Sequence, residues 1–324
     1  MPNLARTRAS RPERVPNPGM LAEVAAGLAA PQKELSPKYF YDQRGSELFE
    51  EITRLPEYYP TRTERALLAG WMPELMRQLG TRTLIELGAG SAEKSRIILD
   101  AMRATGLAEL YVPIDVSATF LSQTAARLRR EYPGLEVEPA VADIAVELNL
   151  PRQLPRPALF AFLGSTIGNF YPPAAIRLLR RVRAAMGPGD RFLLGVDLRK
   201  DIARVEAAYN DSRGITAEFN RNMLLVLNHE LGADFDPAAF EHRAFYDRVA
   251  HRIEMHLVSR RAQIVHVPGL EPIALAQGES IRTEISTKYD RESVAELFAA
   301  ADLTIEAWPR DPTTPFGLVL GAPA

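Results

Sequence analysis

Three acidic residues, Glu86, Asp115 and Asp143, each fall where a short apolar run stops, and the first leads into Leu87-Gly88-Ala89-Gly90-Ser91-Ala92. A glycine turn that opens a helix lets a ligand approach backbone N–H groups closely. The Asp115 carboxylate can accept two hydrogen bonds, which suits the paired hydroxyls of a ribose, and Asp143 can accept from an amino group such as that of adenine. A dinucleotide turn wants a third glycine at position 93. Glu93 stands there instead, and its charge opposes a pyrophosphate. Plainer uses exist for each acid: Glu86 as a helix-cap partner, Asp115 as an N-cap, Asp143 as a turn residue. Their placement at successive strand ends favours the ligand. Lys94, one of only five lysines among 39 basic residues, sits in the first turns of the next helix and is placed to reach a carboxylate on that ligand.

A second group of candidates is Phe162-Leu163-Gly164-Ser165-Thr166-Ile167-Gly168-Asn169. It is not a nucleophile elbow, because Thr166 stands midway between the glycines and no histidine pairs with it. Asn169 either meets a ligand or closes a turn. Tyr39-Phe40-Tyr41 and Tyr58-Tyr59 are equally suited to a core and to a polar pocket lined by hydroxyls. The five histidines lack metal-site spacing and the chain has no cysteine, so no metal is expected and thiolate chemistry is excluded.

These residues need a scaffold, and the alternation of patterns supplies one. Apolar runs at Thr83–Leu87, Leu110–Ile114, Leu135–Val141, Ala158–Leu163 and Arg191–Val196 alternate with helical patterns near Lys94–Ala104, Ala118–Glu131 and Ala174–Met186. Runs without polar alternation suit strands of a parallel sheet buried on both faces. Helices are expected over Leu21–Ala30 and Ser46–Leu55, and Thr61 to Glu64 reads as a capping box opening a helix that runs to Leu79. After Asp197 the rhythm breaks for about 90 residues, with a helix near Ile215–Glu230 and extended segments at Arg252–Arg261 and Glu284–Tyr289. The alternation then returns with a helix at Arg291–Ala301 and strands at Leu303–Trp308 and Phe316–Gly321, joined closely enough to be antiparallel. The chain of 324 residues, 46% hydrophobic with a formal charge of -2, offers no global field for nucleic acid or anionic lipid, and no apolar run that could span a bilayer. We expect a cytoplasmic monomer acting on a small molecule.

The acid ahead of the glycines and the missing third glycine resemble the S-adenosylmethionine turn of class I methyltransferases. Longer motifs sharpen this: Lys38-Tyr39-Phe40-Tyr41-Asp42, Gly45-Ser46-Glu47-Leu48-Phe49, Leu55-Pro56-Glu57-Tyr58-Tyr59-Pro60-Thr61-Arg62-Thr63-Glu64, the Gly164 to Asn169 stretch, Phe219-Asn220-Arg221-Asn222, Arg252-Ile253-Glu254-Met255 and Thr283-Glu284-Ile285-Ser286. Together they resemble the histidine-specific methyltransferases of ergothioneine biosynthesis, from about Leu35 to Leu320.

The resemblance implies an α/β chain: a Rossmann-like class I methyltransferase sheet with an antiparallel last strand, over residues 61–198 and 287–324, and a smaller α+β substrate-recognition domain over 20–60 and 199–286. Residues 1–19 are expected to be a disordered tail. It implies S-adenosyl-L-methionine as cofactor, S-adenosyl-L-homocysteine as its product, and three successive transfers to the α-amine of L-histidine to give hercynine. Matched by motif, Tyr58, Glu284 and Ser286 hold the imidazole, Asn169 and Tyr209 anchor the α-carboxylate, and Phe49, Thr166 and Met255 shape the walls. Gly164 and Tyr41 lie nearest the reacting amine, so Tyr41, Gly164, Asn169 and Tyr209 form the catalytic set. Gly88, Lys94, Asp115 and Asp143 hold the cofactor with Tyr41 and Ile144, the latter replacing an aromatic residue frequent at that position. A sister activity on a tryptophan-derived amine is the alternative, and Glu284 argues against it because an anionic acceptor suits an imidazole better than an indole.

Overall fold

The computed structural model describes residues 17–324. Its apolar runs become β1 (Thr83–Leu87), β2 (Leu110–Asp115), β3 (Glu136–Val137), β4 (Ala140–Val141), β5 (Ala158–Phe162) and β6 (Arg191–Asp197). These pair in parallel, and β1 and β5 are buried at every position, as a strand covered on both faces must be. The later strands are β7 (Phe240–Asp247), β8 (Arg252–Ser259), β9 (Gln263–Val265), β10 (Ile273–Leu275), β11 (Ser280–Thr287), β12 (Leu303–Ala307) and β13 (Phe316–Pro323). The main sheet runs β12-β13-β6-β5-β1-β2-β3, with β4 also on β2, and β13 lies antiparallel to both of its neighbours. One strand was expected over 135–141. The pairing instead breaks after Val137 and resumes at Ala140, since Pro139 has no N–H for the ladder.

The helices are α1 (Pro18–Ala29), α2 (Gln43–Thr53), α3 (Tyr59–Leu79), α4 (Glu93–Thr105), α5 (Ala118–Glu131), α6 (Pro172–Ala185), α7 (Ile202–Ala207), α8 (Ile215–Leu231) and α9 (Arg291–Ala299). Two cores clothe the main sheet. On one face Leu68, Met72, Leu99, Met102 and Leu128 come from α3, α4 and α5, and on the other Leu178, Val182, Val294 and Phe298 come from α6 and α9. Each such side chain contributes about 1.5–3 kcal/mol by leaving water.

Two expectations near the N-terminus are corrected. α1 begins at Pro18, capped by the Asn17 side chain, so residues 18 and 19 of the tail expected over 1–19 are helical, while residues 1–16 of it lie outside the described residues. The Thr61–Glu64 capping box does not form. α3 starts at Tyr59, and Pro60, with its fixed φ and absent N–H, fills the first turn, leaving Thr61 inside the helix.

The stretch after β6 folds around a three-stranded antiparallel sheet, β11-β8-β7, with α7 and β7 in places where no element was expected. Its core is shared with the N-terminal segment: Leu48 and Ile52 of α2 pack with Phe219 and Met223 of α8, Met255 of β8 and Ile281 of β11. Among the described residues no helix is long and apolar enough to cross a membrane.

Candidate active site

The chain passes from β1 outward to β2 and β3, then returns to the other side of β1 with β5 and β6. Ligands of open α/β sheets bind at the carboxyl ends of strands where the order reverses in this way. A cavity of about 700 Å³ lies there, between the ends of β1, β2 and β5 and the segment preceding α3. Gly88 and Gly90 turn with φ of +68° and +52°, and a side chain at Gly90 would meet open space, so the backbone of the turn is open to a ligand.

Glu86 supports that turn from below. It is buried and accepts from the Ser95 hydroxyl in the first turn of α4 and from the Tyr111 hydroxyl at 2.6 Å. Burial pushes its carboxyl up to about 7, against the opposing pull of these hydrogen bonds. Asp115 accepts from Gly90 N–H at 3.0 Å and Ser117 N–H at 3.1 Å, one bond to each oxygen, so it tightens the glycine turn and keeps a lone pair on each oxygen for a diol. Asp143 accepts from Ala145 N–H at 2.9 Å and pairs with Lys38 at 3.0 Å, which ties the segment before α2 to the end of β4. Ile144 lines the cavity beside it. An open glycine turn, a two-sided carboxylate and an apolar wall fit an adenosyl group.

Lys94 reaches the cavity with its ammonium bonded to Glu64 at 2.6 Å. Glu64, wholly buried, also accepts from Gly164 N–H with both oxygens at 2.9 Å. Thus the residue read as a helix cap instead fixes the turn after β5. Gly164 has φ of +78° and borders the cavity, followed by Thr166 and Asn169 on a 3-10 turn.

Tyr41, Phe49, Tyr58 and Glu284 line the same cavity. Edge-to-face contacts join Tyr41 to Phe49 at 5.8 Å and Phe49 to Tyr58 at 6.2 Å. Among the described residues nothing hydrogen-bonds the Glu284 carboxylate, and burial pushes it up to about 7, with Lys288 acting in the opposite direction. Burial likewise pushes the pKa of the Tyr41 and Tyr58 hydroxyls up, which keeps both protonated.

Met255, Tyr209 and Ser286 do not line the cavity; they form the layer behind it. Tyr209 packs edge-on against Tyr58 at 6.4 Å and bonds Ser286 at 2.8 Å. Behind them lies a buried charge cluster in Lys288, Asp197, Lys200 and Tyr59, whose hydroxyl donates to Asp197 at 2.7 Å. Sequence reasoning gave neither the Lys288–Asp197–Lys200 cluster nor Glu64 a place in the site. A signal was present: the scarcity of lysine that distinguished Lys94 applies to all five, and each is paired with an acid. Among the described residues no group of acids and histidines is placed to hold a metal.

The family described as histidine-specific methyltransferase, SAM-dependent, matches residues 20–323. Histidine N-alpha-methyltransferase of Mycolicibacterium smegmatis is 46% identical over 299 residues, covering 92% of this chain and 93% of that protein. Ergothioneine biosynthesis protein 1 of Neurospora crassa is 30% identical over 282 residues, covering 84% of this chain and 31% of the longer fungal protein. Among solved structures, an S-adenosylmethionine-dependent methyltransferase from Clostridium acetobutylicum superposes with a TM-score of 0.50 at 13% identity, covering 86% of this chain and 98% of that one, a likeness of fold.

Proposed function

Since the chain belongs to the histidine-specific, S-adenosylmethionine-dependent methyltransferases, we propose that it transfers three methyl groups in succession to the α-amine of L-histidine, giving hercynine for ergothioneine biosynthesis. One observation carries this reading: a single cavity is lined by the open Gly88–Gly90 turn with Asp115 and also by the half-buried, unbonded Glu284 carboxylate among tyrosines. In this reading residues 20–60 and 199–286 form the substrate-recognition part, and residues 61–198 and 287–324 bind the cofactor.

Gly88, Asp115, Asp143 and Ile144 would hold S-adenosyl-L-methionine, which supplies a methyl group on a sulfonium. The protein supplies orientation, because an in-line displacement needs alignment and a free lone pair on the acceptor nitrogen. Asn169 anchors the α-carboxylate, Glu284 accepts from an imidazole N–H while Tyr58 packs against the ring, and Tyr209 acts from the layer behind Tyr58 rather than on the carboxylate. Gly164 and Tyr41 flank the amine. An α-amine has an ordinary pKa of about 8 and must shed a proton before each transfer, and an apolar surround lowers that value. Tyr41 stays neutral, so its hydroxyl accepts the amine's proton as it gives its own to water and does not become an anion.

The test is mass spectrometry of products formed by the full chain with S-adenosyl-L-methionine and each of the twenty amino acids. Histidine should give species with one, two and three added methyl groups, the last accumulating. Methylation of tryptophan in preference to histidine would overturn the assignment of substrate, and a product that stops at one methyl group would overturn the trimethylation.

A further inference from the structure

Lys288 is 1% exposed, and all three of its ammonium protons are taken: by Asp197 Oδ2 at 3.0 Å, by the Tyr209 hydroxyl at 3.0 Å and by Ser286 Oγ at 2.9 Å. Each hydroxyl therefore accepts from Lys288 and keeps its own proton. Tyr209 and Ser286 also share a bond of 2.8 Å, in which one of them donates. Whichever does, one proton of the pair is consumed and one is left over, and among the described residues it has no acceptor. A lone tyrosine and serine could each accept or donate. With Lys288 behind them, the pair can only offer a donor. Two residues before Ser286 in β11, the Glu284 carboxylate is the complementary unpaired acceptor.

We propose that Lys288, locked by Asp197, is a positioning residue that sets the hydrogen-bond polarity of the Tyr209–Ser286 pair, so that the one donor left in this layer directly behind the cavity stands beside the Glu284 acceptor, and the two together suit a neutral imidazole, which has one N–H and one bare nitrogen. The inference rests on the histidine reading above. Its second effect is electrostatic. The charged and titratable groups around Glu284 are Lys288 at the end of β11, Tyr41 before α2, Tyr58 before α3 and Tyr209 after α7. The tyrosines are neutral, so Lys288 is the group that favours the Glu284 carboxylate over its protonated form.

Lys288→Met retains the length of the side chain and removes the charge. Its expected kinetics are a KM for L-histidine raised at least about tenfold, a kcat within threefold, an S-adenosyl-L-homocysteine affinity within twofold, and an acid limb of kcat/KM displaced to higher pH than in wild type. An unchanged KM and acid limb, or a loss of cofactor-product affinity equal to the loss for histidine, would overturn the proposal. Should the variant not fold, wild-type protein labelled at lysine Nζ with nitrogen-15 gives the readout, with five lysines to resolve. The Lys288 resonance must shift on adding L-histidine to the S-adenosyl-L-homocysteine complex, and must respond less to β-(2-thienyl)-L-alanine, whose ring offers no nitrogen. Equal responses overturn it. A wild-type enzyme that does not methylate histidine removes the functional reading instead, whereas a wild-type enzyme that does so beside an indifferent Lys288→Met removes only the role of Lys288.

Discussion

Glu64 of α3 accepts the backbone N–H of Gly164 on both carboxylate oxygens at 2.9 Å, across 100 residues of chain. Room for it exists because residue 195 is glycine: a Cβ there would lie 1.9 Å from Glu64 Oε1. The helix that precedes the main sheet thereby holds a turn that borders the cavity.

Glu64→Gln keeps the shape but turns an amide N–H toward Lys94 or Gly164. Leaving a buried donor unsatisfied costs about 1–3 kcal/mol, and urea unfolding should show a loss in that range. Steady-state kinetics should show a reduced kcat with the KM for histidine little changed, since Gly164 would move while Glu284 and Tyr58 stay. Unaltered stability would mean that Glu64 only fills space.

Asp115→Ala removes a carboxylate that both braces the Gly90 N–H and, in the proposed reading, accepts from ribose hydroxyls. A charge-assisted contact of this kind contributes about 1.5–3 kcal/mol, or about 10- to 150-fold in affinity. Calorimetry with S-adenosyl-L-homocysteine measures it directly, and an affinity equal to wild type would contradict the assignment.

How far the sequence could be read depended on the range of each signal. The glycine turn, Asp115 and Asp143 announced themselves because strand ends and turns are local patterns, and so did the antiparallel pairing of the last two strands. Glu64 did not. Its T-x-x-E spacing is that of a capping box, and only the tertiary contact with Gly164 distinguishes the two uses. Asp197 ends β6 and Lys288 follows β11 of a different sheet, and no periodicity links residues 91 apart, so their pairing emerges only when the ends of the two strands meet. Tyr59 shows the same limit from another direction: it adjoins Tyr58 in sequence, yet Tyr58 lines the cavity while Tyr59 is turned onto Asp197.

Glu86 makes stability depend on pH. Its carboxyl lies at about 7 in the folded chain against 4.5 as the ordinary value, so the folded state binds the proton more tightly than the unfolded one. The favourable contribution is complete below about 4.5 and is lost as pH rises through about 7. Glu284, with the same direction and value, adds to the trend. Glu86→Gln retains an acceptor for Ser95 and Tyr111 without a charge to bury. Denaturation series at pH 5, 6, 7 and 8 should therefore fall less steeply for the variant, and parallel curves would place the pH dependence elsewhere.

Glu284 is the residue on which substrate choice should turn. A carboxylate accepting from an imidazole N–H makes a charge-assisted bond, whereas an indole would have to bring its single donor to the same oxygen while its larger ring meets the wall backed by Met255. Glu284→Ala should raise the KM for histidine by about 10- to 150-fold, the equivalent of about 1.5–3 kcal/mol, and leave S-adenosyl-L-homocysteine affinity unchanged. Trimming Met255 in the same background adds volume behind the ring and should admit larger aromatic amino acids. The pH profile supplies a second check with a definite sign. Burial places the Glu284 carboxyl at about 7, and protonation below that value removes the acceptor, so kcat/KM for histidine should decline as pH falls through about 7. The amine and imidazole of the substrate titrate identically with either enzyme, so the difference between the two profiles isolates Glu284. The variant's acid limb should be shallower by one proton. Competition between histidine and tryptophan, measured for both enzymes across that range, decides the matter: an unchanged preference ratio together with superimposable acid limbs would move recognition of the ring away from Glu284.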